Sequence, residues 1–211
     1  LHFYGDKYLP NENLTDGVWC VGETAKILGF KNGDKIVTAD GNKIERFSDV
    51  PEKILLSETI TVDRDGAYAD IEIPVDVVDV FLKNKNQPLF FPRIPSVVSI
   101  VLENSNAEKC GLKKDDIFVA INETPVKYHD QLKKELQTYR GKEVRLLVNR
   151  GGENISLLAK VDNEGKLGFA PASLSFHQLE EMGYYSLSSH EYGFFASLPA
   201  GYNKAIKKLG S

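Results

Sequence analysis

Apolar and polar positions along the chain alternate in short runs separated by turns rich in glycine, aspartate and asparagine, a pattern of many short strands. It is cleanest over 143–149, where Val144, Leu146 and Val148 alternate with charged or amide residues except at Leu147, as in a half-buried strand. That run turns through Arg150, Gly151 and Gly152 into a second over 154–161, predicting a hairpin. An earlier hairpin is predicted from 59–63 through Arg64, Asp65 and Gly66 into 67–73. Further strands are expected over 18–21, 35–39, 97–102 and 117–121. Short helices are expected over 23–28 and 107–110, each followed by a glycine suited to a left-handed position. Two longer ones follow the inner strands. One starts at Asp49-Val-Pro-Glu52, a capping-box pattern with proline in the first turn, and the other runs over 130–139 with Gly141 just past its end.

The predicted elements come round twice. "GFKNGDKIVTADG" (29–41) reappears as "GLKKDDIFVAINE" from Gly111, at an offset of 111 − 29 = 82. There Ala25 falls on Ala107, Asp34 on Asp116 and Val37 on Val119. Further on, "VDRDGAYADIEIPVD" (62–76) aligns with "VNRGGENISLLAKVD" (148–162) at an offset of 148 − 62 = 86. Val62, Arg64, Gly66, Val75 and Asp76 then meet identical residues. The change in offset falls in and after the intervening helix, where a longer loop is tolerated. An internal duplication, and hence two domains of one fold, is the economical explanation.

Composition narrows the function classes. A 42% hydrophobic share over 211 residues suits packed globular structure. A net charge of −4 leaves no basic field for nucleic acid. No apolar run approaches the roughly 20 residues that cross a bilayer, and no signal peptide is visible. The chain begins at Leu1 and holds its single methionine at Met182, so it reads as a processed protein or a piece of a longer one. Cys20 and Cys110 are too few for a disulfide framework; they read as small buried residues, or as one bridge if the fold brings them together.

"NAEKCGLKKDDIFVAINETPV" (106–126), with its short strand and Ala-x-x-x-Gly-Leu ahead of the aspartate turn, resembles a circularly permuted bacterial PDZ domain; "TAKILGFKNGDKIVTADGNKI" (24–44) keeps the turn but departs in its first strand. The resemblance implies a mainly β fold, small β-barrels capped by helices, with two circularly permuted PDZ-like domains in tandem. The expected division is a membrane-proximal segment 1–12, a first PDZ domain 13–82, a second 83–171, and a C-terminal extension 172–211 ending in an amphipathic helix.

The flanks narrow the resemblance. "YGDKYLP" (4–10), "FFPRIPSVVSIV" (90–101) and "YGFFASLPAGYNKAIKKLG" (192–210) are similar to the periplasmic region of RseP-type site-two proteases, which are intramembrane zinc metalloproteases. Zinc is thereby implied for a full-length parent, and no cofactor for this segment. No His-Glu-x-x-His occurs, and His2, His129, His177 and His190 lack the i, i+4 spacing that puts two imidazoles on one metal. The expected catalytic and metal residues are therefore none.

The resemblance also implies a groove. An extended peptide adds as a strand beside a sheet edge, while convergent backbone N–H groups hold its terminal carboxylate. In the second domain the carboxylate loop is expected at Leu89, Phe90, Phe91, Arg93 and Ile94, the edge strand at Val97, Val98, Ser99 and Ile100, and the facing helix wall at His129, Leu132, Lys133 and Leu136, with preference for an apolar C-terminal residue. Plainer readings stand beside these. Leu132 and Leu136 are four apart and serve equally as a core-facing stripe, and His129 as a polar residue opening a helix. Arg93, in a stiff segment between Pro92 and Pro95, reads as a surface ion-pair partner or as a partner of the peptide carboxylate. In the first domain no carboxylate loop is recognisable; its groove is expected from 14–21 and from Val50, Ile54 and Leu55.

From Ser197 onward Leu198, Tyr202, Ala205, Ile206 and Leu209 follow helical spacing with Lys204, Lys207 and Lys208 elsewhere on the wheel. With Phe194 and Phe195 before it, this helix reads as an interfacial segment at a bilayer surface, or alternatively as packing on the second domain or fraying in the isolated piece, while Phe3, Tyr4 and Tyr8 at the other end suit the aromatic belt where a helix leaves the bilayer. The leading reading is a substrate-gating tandem PDZ region of a membrane-embedded zinc protease on the periplasmic face of the bacterial inner membrane. Its partners would be membrane-protein substrates or their C-terminal tails. The alternative is a soluble PDZ adaptor for protein C-termini; a third, the tail of an HtrA-like serine protease, requires a Gly-Asp-Ser-Gly nucleophile upstream.

Overall fold

The computed structural model of the chain describes residues 7–83 and 87–189. Phe3, Tyr4, Phe194, Phe195 and the amphipathic segment from Ser197 lie outside the described residues.

The chain lays down two β-rich units in succession. The first holds β1 (Lys7–Tyr8), β2 (Val18–Cys20), α1 (Glu23–Ile27), β3 (Lys35–Ala39), β4 (Asn42–Lys43), α2 (Val50–Leu56), β5 (Thr59–Arg64), β6 (Ala67–Glu72), α3 (Val77–Lys83) and β7 (Phe90–Pro92). The second holds β8 (Val98–Val101), α4 (Asn106–Lys109), β9 (Ile117–Ile121), β10 (Thr124–Pro125), α5 (His129–Thr138), β11 (Glu143–Arg150), β12 (Glu153–Lys160) and β13 (Phe169–Pro171), followed by α6 (Phe176–Glu181) and β14 (Ser188–Ser189). Each unit has a four-stranded antiparallel sheet of the same order, β4-β3-β5-β6 and β10-β9-β11-β12, and a two-stranded one, β2-β7 and β8-β13. The fold is mainly β.

Alternation places each core. Val144, Leu146 and Val148 of β11 are buried with Val98, Phe118 and Leu132, while Ile60 and Val62 of β5 are buried with Val18, Ile36 and Ile54. The repeated turn is built identically in both units. Asp34 is 1% exposed and accepts from Arg64 Nε at 2.8 Å and Nη2 at 2.7 Å and from Lys31 N–H at 2.8 Å; Arg64 Nη2 also donates to Gly29 O at 3.0 Å. Asp116, 0% exposed, accepts from Arg150 Nε at 2.6 Å and Nη2 at 2.8 Å and from Lys113 N–H at 2.8 Å, with Arg150 Nη2 on Gly111 O at 2.9 Å. The carboxylate thus ties the turn, the hairpin arginine and the helix-ending glycine together, which is why the motif recurs without chemistry around it. Gly29 and Gly111 sit at φ +92° and +81°, a region open to glycine at little cost.

Several expectations shift. Asp49 does not cap α2: it is itself helical and ends a 3₁₀ turn over Phe47–Asp49. The helix expected over 130–139 begins one residue earlier, where Gln131 Oε1 accepts from the Tyr128 and Lys127 N–H groups. α3 is an element the sequence pattern does not announce, because a seven-residue stretch rich in valine gives little periodicity; Val77 and Phe81, four apart, pack it on the first core. The aligned valines part company: Val161 is buried but Val75 is fully exposed, because the first unit turns into α3 there. Strand pairing also moves the expected boundary after residue 82, since β7 pairs with β2 of the first unit. Cys20 and Cys110 are both free, packed in or against different cores. Burial, with the Asp34 charge second, pushes the Cys20 thiol up to about 12.

The segment after β13 returns to the first unit. Leu179 and Tyr185 join the first core, β14 pairs with β1, Asn13 Nδ2 donates to Ser186 O at 2.6 Å, and Tyr185 Oη donates to Arg93 O at 2.5 Å. Ser175 caps α6 reciprocally with Gln178.

Candidate peptide groove

Helix α5 has an apolar stripe that does two jobs. Leu132 and Leu136 are 0% and 5% exposed and belong to the second core, and with His129, Lys133 and Gln137 they also form one wall of a groove of about 300 Å³. The opposite wall runs from Gly165 through Lys166, Leu167, Gly168 and Phe169 to Pro171, with Leu102 nearby. α5 stands there because Lys127 and Tyr128 enter it by hydrogen bonds to the Gln131 side chain and because its apolar stripe packs on β9 and β11.

Among the described residues β13 pairs only with β8, which makes it an edge strand. Gly168 O accepts a single bond from Leu102 N–H at 3.0 Å, and next to it Phe169 stands opposite Val101 as a pair without hydrogen bonds of its own. In an antiparallel ladder such pairs alternate, so the N–H and C=O of Phe169 point away from β8, toward α5. The preceding loop folds around Asp162, whose carboxylate accepts from Glu164 N–H at 2.9 Å and Lys166 N–H at 2.7 Å. Gln137 Nε2 donates to Glu164 O at 3.0 Å, tying the loop to the end of α5. Among the described residues the N–H groups of Leu167 and Gly168 donate to no protein acceptor. Two successive free amides beside an open strand edge are the groups from which an anion-binding nest is made, and a carboxylate is one anion they can take.

Gly168 is required by its surroundings. It sits at φ +91°, and a Cβ there would lie 2.4 Å from Ser105 Cβ, at the cap of α4. Gly168→Ala should therefore displace the loop, costing about 1 kcal/mol or more of stability and weakening peptide binding about tenfold. A thermal melt and a peptide titration check this, and two unchanged values would contradict it.

His129 closes the far end. Its Nδ1 is 2.9 Å from Ser96 Oγ, its N–H donates to Ile94 O at 2.8 Å, and its ring meets Trp19 of the first unit edge-on at 5.7 Å. Burial, then the Lys133 charge, lowers its pKa below the ordinary 6.5, so the ring is neutral at pH 7.

The remaining expected groove residues lie elsewhere. Leu89 and Phe90 are buried in the first core, Phe90 against Phe30 with ring centroids 5.0 Å apart, so they do not form a carboxylate loop for the second unit. Phe91 is exposed on β7 beside Trp19, and Ile94 lies in the half-buried link between the units, with Phe91 in a separate apolar pocket against α6. Val97 and Val98 are core. Ser99 and Ile100 belong to β8, which lies between β9 and β13: Val97 bridges Ile117 on one side and β13 covers the other. β8 is thus no edge, and the groove edge is one strand further on. The glycine-flanked stretch "GKLGFAP" (165–171) was the available signal for it. In the first unit Leu89 O accepts from Val21 N–H as Gly168 O does from Leu102, so buried Leu89 occupies the place of the nest. Leu14, Val18, Val50 and Ile54, expected to shape a first groove, are fully buried core.

Arg93 is neither a surface ion-pair partner nor near the nest. Its side chain is 12% exposed and grips the 4% exposed Asp130 through Nε at 3.1 Å and Nη2 at 2.8 Å. Nη1 donates to Asp16 O at 3.2 Å, and the guanidinium stacks 4.7 Å from the Tyr128 ring centroid. Asp16, from the first unit, accepts from Lys127 Nζ at 2.7 Å and from Tyr128 Oη. Burial works to raise the Asp16 carboxyl, but the Lys127 and Tyr128 hydrogen bonds with the Lys127 and Arg93 charges prevail and hold it below its ordinary 3.8. The two units are latched together at the residues that open α5.

The PDZ domain family matches residues 97–150. The chain carries a PDZ domain. Over 155 residues it is 26% identical to a probable periplasmic serine protease, Do/HhoA-like, of Haemophilus influenzae, covering 64% of this chain. The chain spans about a third of that relative's length, 33%. The PDZ match covers β8 to β11, including the helix wall of the groove, while the nest and β13 follow it in sequence. Among the described residues no helix is long and apolar enough to cross a membrane, and no cluster of His, Cys, Asp or Glu could hold a metal.

Proposed function

We propose that this chain is the peptide-capturing, regulatory region of an extracytoplasmic protease, and that its second unit holds the free C-terminus of a polypeptide. The observation that carries this is the open edge of β13 beside unpaired N–H groups at Leu167 and Gly168, facing the apolar stripe of α5. Main-chain pairing along Phe169 would supply affinity, the nest would take the carboxylate, and Leu132, Leu136 and Leu167 would accept an apolar last side chain. Trp19 is the single tryptophan and touches His129 on the groove wall, so its fluorescence offers a native readout. A peptide ending in leucine should shift that signal, and its C-terminal amide should bind at least tenfold more weakly. Equal binding by the two would remove carboxylate capture.

Within that role, the resemblance of the flanking segments to RseP-type proteases supports a substrate gate over a membrane-embedded zinc site, with periplasmic exposure and membrane-protein substrates. Steric gating requires rigid placement rather than affinity, and the Arg93, Asp130 and Asp16 latch suits it. The first unit, lacking a nest, would serve as a spacer. The relative favours a second reading, the PDZ region of an HtrA-type serine protease. Translating the gene on both sides of this segment separates them: His-Glu-x-x-His within an apolar run supports the first, Gly-Asp-Ser-Gly the second.

A further inference from the structure

We propose that the groove selects C-termini carrying an acidic residue two places before the apolar last one, and that Lys133 reads that acid. This rests on capture of a free C-terminus at Leu167 and Gly168.

The direction of the bound peptide follows from where the nest lies. It immediately precedes β13, so a peptide whose carboxylate sits there runs antiparallel to β13, its upstream residues passing toward Pro171. The loop is bonded to Gln137 near the end of α5, and His129 starts that helix. The last residue therefore lies by Leu136, and earlier ones climb toward His129. Side chains in an extended peptide alternate, so the residue two back returns to the α5 side, about 7 Å along. On α5, at about 1.5 Å per residue, Lys133 lies roughly 4.5 Å from the Leu136 level and His129 roughly 10 Å. The side chain two back faces the turn between them.

Charge decides what suits that turn. Among the described residues no carboxylate lines the groove. Of the α5 residues lining it, Lys133 alone is charged at pH 7, since His129 is neutral. Among the described residues Lys133 has no carboxylate partner: Asp130 is committed to Arg93, and on the other wall Glu164 is committed to Lys166 at 2.6 Å. An acidic side chain would complete Lys133, and a basic one would meet the unpaired Lys133 charge. Because Lys133 is exposed, the preference is modest and salt-sensitive, roughly three- to fivefold at low ionic strength.

The test uses labelled peptides ending Asp-Ala-Leu, Asn-Ala-Leu and Lys-Ala-Leu, each with a free and an amidated C-terminus, plus one with aspartate moved to the penultimate place. Anisotropy is read on the whole chain and on Lys133→Glu. The expected order is Asp over Asn over Lys for the free acids, reversed in Lys133→Glu, with the aspartate preference lost when it moves. Equal binding of the three free acids, or an order that survives Lys133→Glu, overturns the selection while leaving carboxylate capture intact. Equal binding by free and amidated peptides overturns capture itself and the selection with it.

Discussion

Replacing Arg93 with methionine should lower the stability of the chain by about 3 kcal/mol and uncouple its two units. The cost follows from what remains: Asp130, 4% exposed, loses both guanidinium bonds in a site with little water to replace them, and removing one partner of a buried pair strands the other. Methionine preserves much of the stem's packing, so the loss reads on charge and hydrogen bonding. The same guanidinium holds Asp16 O and faces the Tyr128 ring, so its removal weakens a joint whose other contacts include Asp16 with Lys127 and Tyr128, Tyr185 on Arg93 O, and Trp19 against His129. In urea the parent should unfold in one transition, coincident by Trp19 fluorescence and by far-ultraviolet dichroism. The variant should show an earlier midpoint with the two signals separated. A midpoint and coincidence like the parent's would mean the latch does not join the units.

The second large effect belongs to the repeated turn. Arg150→Met should cost about 3 kcal/mol, the lower end for a broken buried pair because the Arg150 side chain is 26% exposed. Asp116, fully buried, would keep only the Lys113 N–H, and Gly111 O would lose its donor. Arg64→Met should cost a similar amount in the first unit, where Asp34 and Gly29 hold the same bonds. Denaturant unfolding of both variants checks this, and losses below about 1 kcal/mol in either would place the aspartate–arginine tie on the surface rather than in the core.

That tie also marks how far the sequence could be read. Its members recur at fixed spacing, so the duplicated turn, the hairpins around Arg64 and Arg150, and strands such as β3, β9 and β11 were visible as local patterns. The helix wall of the groove was visible for the same reason: Leu132 and Leu136 are spaced for one face. The opposite wall was not. β13 is three residues long, holds a proline and carries no alternation, so nothing local distinguishes it from a loop. With β13 hidden in the pattern, β8 takes the character of an edge and Leu89 and Phe90 that of its neighbouring loop, whereas β13 covers β8 and β7 pairs in the first unit. The latch is harder still, because Asp16 and Tyr128 are separated by 112 residues and neither shows a local signature. α6 is the exception: its Ser175-x-x-Gln178 cap is a legible local signal of a helix start.

The central claim is that the nest and the edge of β13 hold a free C-terminus, and amide nuclear magnetic resonance tests it residue by residue. Titrating a leucine-ending peptide into the nitrogen-15-labelled chain should shift the Leu167, Gly168 and Phe169 amides first and furthest, with His129 and Trp19 following, and the amidated peptide should leave them in place. Shifts confined to β8 or to the first unit, or the same shifts from the amidated peptide, would contradict it.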